Sequence, residues 1–136
     1  MSSESEEIER IKQKKMAEMM NKTNSDSSPK GEPVPVTDQD IDAFVAKNPK
    51  VVVDCWAPWC GPCRMLSPTI DALAKDMTGK VAFGKLNTDD NFRTSEKYRI
   101  ASIPTLLFFK DGKLVDKMIG AAPRAMVEQQ IKRALG

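Results

Sequence analysis

From Val34 onward, short apolar runs alternate with stretches whose apolar positions recur at helical spacing. That alternation is the sequence form of an α/β fold in which helices cover a sheet. Val34 and Val36 predict a short first strand. Thr37 is placed to cap a helix carrying Ile41, Phe44 and Val45 on one face, and Asn48-Pro49 would stop that helix. Val51 to Trp56 is almost continuously apolar, as expected of a central strand covered on both sides. A long helix is predicted from about Cys60 to Met77, with Met65, Leu66, Ile70, Leu73, Ala74 and Met77 facing inward. Pro68 should kink it and Thr78-Gly79 end it. Val81 to Leu86 reads as a third strand and Asn91 to Tyr98 as a short helix. Thr105 to Lys110 and Lys113 to Met118 read as a hairpin over Asp111-Gly112. Pro123 opens a last helix near Ala121 to Leu135. The predicted order is βαβαβαββα, a mixed sheet flanked by helices, with no internal repeat.

Residues 1–33 break the pattern. They are dense in charge, lack aromatic residues and contain the punctuated run Asn24-Ser25-Asp26-Ser27-Ser28-Pro29-Lys30-Gly31. The division expected is an N-terminal extension and linker over 1–33 and a folded domain over 34–136. Within the extension, Ile8, Ile11, Met16, Met19 and Met20 recur at mostly helical spacing, so Glu6 to Asn21 can form a thin amphipathic helix. Two readings stand: a frayed solubilising tail, or a helix that docks on a partner or membrane surface.

Composition narrows the function. A chain of 136 residues with 40% hydrophobic content can bury one core without staples. Its 21 basic and 19 acidic residues nearly cancel, which argues against nucleic acid as a partner. The first ten residues carry Glu4, Glu6, Glu7 and Glu9 where an export signal would be basic and then apolar, so a cytoplasmic location is expected. The most apolar stretch, Ile103 to Phe109, is far too short for a membrane span, and no stable membrane association is expected.

The chemistry is concentrated in Trp59-Cys60-Gly61-Pro62-Cys63. Cysteines at i and i+3 on the first turn of a helix share a face and lie close enough to form a disulfide. Cys60 sits where unpaired backbone N–H groups and the positive end of the helix dipole converge, which favours thiolate, so it is the expected nucleophile. Cys63, a turn further in and less exposed, is expected to be the resolving thiol. Zinc is disfavoured, because the chain has one Cys-x-x-Cys, no second pair and no histidine. A purely structural disulfide is disfavoured by the reducing compartment expected of this composition.

The run Val53-Asp54-Cys55-Trp56-Ala57-Pro58-Trp59-Cys60-Gly61-Pro62-Cys63 resembles the active-site segment of thioredoxins. The resemblance extends to Pro68, Lys85-Leu86-Asn87, Ile103-Pro104-Thr105 and Ile119-Gly120-Ala121, and covers about residues 34–136. It implies the thioredoxin fold and a cis peptide before Pro104 facing the cysteines. It also implies an apolar substrate-receiving surface made by Trp59, Gly61, Pro62, Ile103, Pro104, Gly120 and Ala121, with the Ile103 backbone pairing to an extended substrate. Cys55, where thioredoxins often carry an aromatic residue, and the long extension depart from the family pattern.

Asp54 is the one charge in an apolar strand, and burial would raise its pKa. The resemblance makes it the proton acceptor for Cys63, with Lys85 tuning it; a merely structural carboxylate and a merely solvated lysine are the competing readings. Cys55 faces away from Asp54 and Trp56 on an alternating strand, as a core residue or, if exposed, a regulatory thiol. The function expected is a protein-disulfide reductase that donates electrons to target enzymes and serves redox homeostasis. It would bind no cofactor or metal, work through a Cys60-Cys63 disulfide, act as a monomer and be recycled by a thioredoxin reductase. An oxidase or isomerase on the same fold, which Gly61-Pro62 argues against by resemblance, and a scaffold role without redox chemistry are the alternatives.

Overall fold

The computed structural model describes residues 31–136. The proposed helix over Glu6 to Asn21 lies outside the described residues. Five strands, β1 (Val34–Val36), β2 (Lys50–Trp56), β3 (Ala82–Asn87), β4 (Thr105–Lys110) and β5 (Lys113–Ile119), form one sheet. Four helices, α1 (Ile41–Lys47), α2 (Gly61–Asp76), α3 (Phe92–Lys97) and α4 (Arg124–Leu135), complete the predicted order. The strands run β1-β3-β2-β4-β5 across the sheet. β2 pairs in parallel with β3 and antiparallel with β4, so the sheet is mixed and β2 is central.

The central place of β2 follows from its composition. Val51, Val52 and Val53 are branched at Cβ and apolar on both faces, so both faces must be covered. On one side Val52, Phe83, Leu106 and Phe108 pack against Leu66, Ile70 and Leu73 of α2 and Val127, Ile131 and Leu135 of α4. On the other, Val51, Val53, Cys55, Leu107 and Phe109 pack against Ile41, Phe44 and Val45 of α1. Each fully buried Leu, Ile or Phe side chain contributes about 1.5–3 kcal/mol relative to exposure. The β4–β5 hairpin turns on Asp111 and Gly112, both at positive φ (50° and 84°), a conformation that Asp-Gly adopts readily and most other pairs resist.

Two local expectations fail. Thr37 does not cap α1: its backbone N–H donates to Asp40 Oδ1 at 2.6 Å, and its own carbonyl accepts from Ile41 N–H at 2.9 Å. The Asp40 carboxylate, reaching back to Thr37, closes a turn over 37–40 and delays the helix to Ile41. Met65 is not inward but 73% exposed, because Leu66, Ile70 and Leu73 define the buried stripe and position 65 lies a hundred-degree step off it. α2 continues unbroken across Pro68.

Candidate active site

The site lies where β2 hands over to α2. Cys60 occupies the N-cap position of α2 in extended conformation, and Pro62 sits in the first turn, where a missing N–H costs nothing. Cys60 and Cys63 are joined by a disulfide with Cα atoms 5.3 Å apart. The Cys63 backbone N–H also donates to Cys60 Sγ at 3.2 Å. Cys60 therefore takes the place of the Ser or Asp oxygen that caps most helices, and its sulfur receives one of the orphan donors of the first turn. In this oxidised form both cysteines are shielded, at 4% and 3% exposure, so the expected difference in exposure is absent. The backbone N–H aimed at Cys60 is the asymmetry between them.

The apolar surroundings of the pair are Ala57, Trp56 and Ile103. Cys60 Sγ lies 3.8 Å from the Ile103 carbonyl oxygen. The Ile103–Pro104 peptide is cis, as the family resemblance implies. Gly120 N–H donates to the Pro104 carbonyl at 2.8 Å, which brings the 119–121 turn to this edge of the site. Gly120 has φ +95°, a conformation costly for any side chain, so glycine is needed at that turn. Trp59, Gly61, Pro62 and Ala121 are exposed, Ile103 and Gly120 are half-buried, and Pro104 is buried.

Asp54 lies on the face of β2 shared with Val52 and Trp56, which looks toward α2, the helix that carries both cysteines. It is 1% exposed, and neither carboxylate oxygen accepts a hydrogen bond. Burial pushes its pKa up to about 6, the Lys85 charge opposes the rise and Asp71 adds to it. Lys85 stands opposite Asp54 in the β2–β3 register. Its ammonium donates to Ser67 Oγ at 3.3 Å and lies 4.9 Å from the centre of the Trp56 ring. Cys55 points to the opposite face, fully buried, and burial together with the Asp54 charge drives its thiol far above the ordinary range. Cys55 is thus a core residue.

Asp89 and Ile119 belong to this surface, although sequence reasoning did not assign them to the site. Trp59 Nε1 donates to both carboxylate oxygens of Asp89, at 3.2 and 3.1 Å. Ile119 is large, apolar and exposed beside Gly120. Asp89 had no signal in the sequence, being one of two adjacent acids in a polar turn 30 residues from Trp59. Ile119 ends an edge strand whose alternation would place it outward; that was the available signal.

A disulfide capping a helix, a buried unpaired carboxylate under the same helix and an apolar rim define a dithiol–disulfide oxidoreductase. The thioredoxin family profile matches residues 32–133. The chain is 50% identical over 99 residues to "Thioredoxin M-type, chloroplastic" of Pisum sativum, covering 72% of this chain and 58% of that relative. It is 48% identical over 101 residues to "Thioredoxin 2" of Chlorobaculum tepidum, covering 74% and 93% respectively. A solved structure of a mutant thioredoxin from Halobacterium salinarum superposes with a TM-score of 0.73 at 30% identity, covering 79% of this chain and 94% of that one. The chain belongs to the thioredoxin family.

Among the described residues no helix is long and apolar enough to cross a membrane. Among them, too, no group of three or more metal-binding side chains is placed to hold an ion.

Proposed function

We propose that the chain is a protein-disulfide reductase in which Cys60 is the nucleophile, Cys63 the resolving thiol and Asp54 the proton acceptor. The observation that carries this reading is the Cys63 N–H aimed at Cys60 Sγ, a donor that stabilises negative charge on that sulfur once the disulfide is open. In the reduced protein, Cys60 thiolate attacks one sulfur of a substrate disulfide; a Cys60–substrate bond forms and the other substrate sulfur leaves as thiolate. Cys63 then loses its proton to Asp54 and attacks the Cys60 sulfur. The Cys60–Cys63 bond forms, the second substrate sulfur is released, and two electrons have passed to substrate.

A carboxyl with pKa about 6 takes a proton near neutrality and returns it without a large barrier, which suits Asp54 to this step. Lys85 tunes it by opposing charge. Trp59, Gly61, Pro62, Ile103, Pro104, Gly120 and Ala121 form the surface that receives the substrate, an extended segment pairing with the Ile103 backbone. The redox group is the Cys60–Cys63 disulfide itself, with no further cofactor. The partners are disulfide-containing proteins and a thioredoxin reductase, and the protein works as a monomer in the cytoplasm; the extension over 1–33 is a separate unit from the domain over 34–136.

The test is reduction of an oxidised protein by the dithiol form, with Cys63→Ser run beside it. The variant should accumulate a mixed disulfide through Cys60. If the mixed disulfide forms through another cysteine, or if equilibration with glutathione reveals a strongly oxidising couple, the assignment fails.

A further inference from the structure

Trp59, the residue before Cys60, is 67% exposed, and its indole is anchored by the two contacts to Asp89. An exposed hydrogen bond orders a side chain only if its acceptor is itself held, and Asp89 is on a surface turn. That turn is tied at several points. Asp89 N–H donates to Asn87 Oδ1 at 2.9 Å, and Thr88 N–H donates to the Trp56 carbonyl at 2.8 Å. Asn91, which is buried, spans the turn: its Nδ2 donates to the Asn87 carbonyl at 2.9 Å, and its Oδ1 accepts from Asp38 N–H at 2.8 Å.

Asp38, in the loop between β1 and α1, closes the network from outside. Its Oδ1 accepts from Thr94 N–H at 2.8 Å and Thr94 Oγ1 at 2.7 Å, and its Oδ2 accepts from Arg93 N–H at 3.2 Å. The side chain of Asn91, the N-cap residue of α3, makes no cap bond to its own helix, so Asp38 caps α3 from 55 residues away and leaves the Asn91 amide to brace the turn. A carboxylate accepting backbone N–H groups at a helix start is a favourable arrangement, so the junction is firm. The path of bonds runs Asp38, Asn91, Asn87, Asp89, Trp59 and ends next to Cys60.

We propose that Asp38 and Asn91 are positioning residues for Trp59, fixing the 87–91 turn so that Asp89 holds the indole in one orientation on the surface that meets protein substrates. The inference rests on the proposed role of Trp59 in receiving substrate. A fixed indole presents a preformed apolar contact, so the ordering cost of docking is lower than for a free one. A small disulfide needs only Cys60 and gains little from that contact. A residue acting only as a helix cap would change stability and leave the indole and substrate preference alone.

The test uses the full chain, labelled with 15N, in four forms: wild type, Asp38→Ala, Asp38→Asn and Asp89→Ala. Solvent exchange of the Trp59 indole N–H is measured together with kcat and KM for insulin and for dithiodipyridine. Asp38→Ala and Asp89→Ala should each speed indole exchange about tenfold and raise KM for insulin about three- to fivefold at nearly constant kcat, with dithiodipyridine far less affected. Asp38→Asn, which keeps an acceptor oxygen, should recover most of both effects. Asn87→Ala breaks the path without touching the α3 cap and serves should Asp38→Ala not fold; it should behave like Asp89→Ala. Unchanged indole exchange and unchanged insulin KM in a less stable Asp38→Ala would overturn the proposal, as would an Asp38→Ala effect with no counterpart in Asp89→Ala. Failure of the wild type to reduce dithiodipyridine would count against the dithiol chemistry instead, while indole exchange would still decide the positioning claim.

Discussion

The two faces of β2 carry the same kind of backbone and opposite kinds of side-chain environment. Val51, Val53 and Cys55 face α1 in a largely apolar layer, and the third sulfur there is sealed in the core. Val52, Asp54 and Trp56 face α2, and there the same strand buries a carboxylate with no hydrogen-bond partner and leads into two linked sulfurs. One residue of register separates Asp54 from Cys55. Reactivity here is a property of placement: a thiol at a helix N-terminus with an N–H aimed at it differs from a thiol between valines by its field and its solvent, not by its bonds. The inert face supplies stability, and the other face gives some of it up for chemistry.

That contrast can be broken in graded ways. The largest effect is expected from Cys60→Ser, which should lower protein-disulfide reduction by at least about a thousandfold while leaving the melting transition of the reduced protein nearly in place. Steady-state reduction and a thermal scan of the same sample read both. Next comes Asp54→Asn, which should slow release of the mixed disulfide about a hundredfold at pH 7, as stopped-flow mixing would show.

The same substitution changes the stability profile. The folded pKa of Asp54, about 6, lies above its ordinary value of 3.8, so the protonated form is favoured by folding. Its contribution is fully present below pH 3.8 and is lost as pH rises through about 6, a loss of about 3 kcal/mol from the shift alone. Asp54→Asn should therefore flatten the denaturant midpoint between pH 4 and pH 7 and be the more stable protein above pH 6. A wild-type profile that rises across that interval would contradict the assignment of the charge.

On the inert face, Leu107→Ala should cost about 2–5 kcal/mol of stability by leaving a cavity in the α1-facing layer, with kcat and KM of the folded protein unchanged. Smallest of all, Cys55→Ala should shift stability by about 1 kcal/mol and alter no kinetic constant. Native alkylation of the reduced wild type should consume two thiols, not three, since Cys55 is sealed in the core.

The strands and long helices were legible because their signals are local. Three successive valines in β2, the Asp111-Gly112 turn and the Leu66, Ile70, Leu73 stripe each follow from neighbours a few residues apart. The cysteine pair was legible for the same reason, its spacing and its place before a helix both lying within one turn. Four things were not. Thr37 looked like a cap until Asp40 claimed its N–H; Met65 looked inward until the stripe fixed the rotation of α2. The network from Asp38 to Trp59 depends on contacts between residues 30 to 56 positions apart, which exist only after the sheet has brought β1 and β2 beside β3. The order of the strands, β1-β3-β2-β4-β5, likewise depends on parallel pairings that no single segment encodes.

The proposed role of Cys60 rests on its place at the start of α2. The direct measurement is carbamidomethylation of the fully reduced protein by iodoacetamide at pH 7, with peptide mapping of the modified sulfur. Cys60 should be modified first and about tenfold faster than cysteine in an unfolded peptide. Modification at the peptide rate, or of Cys63 ahead of Cys60, would contradict it.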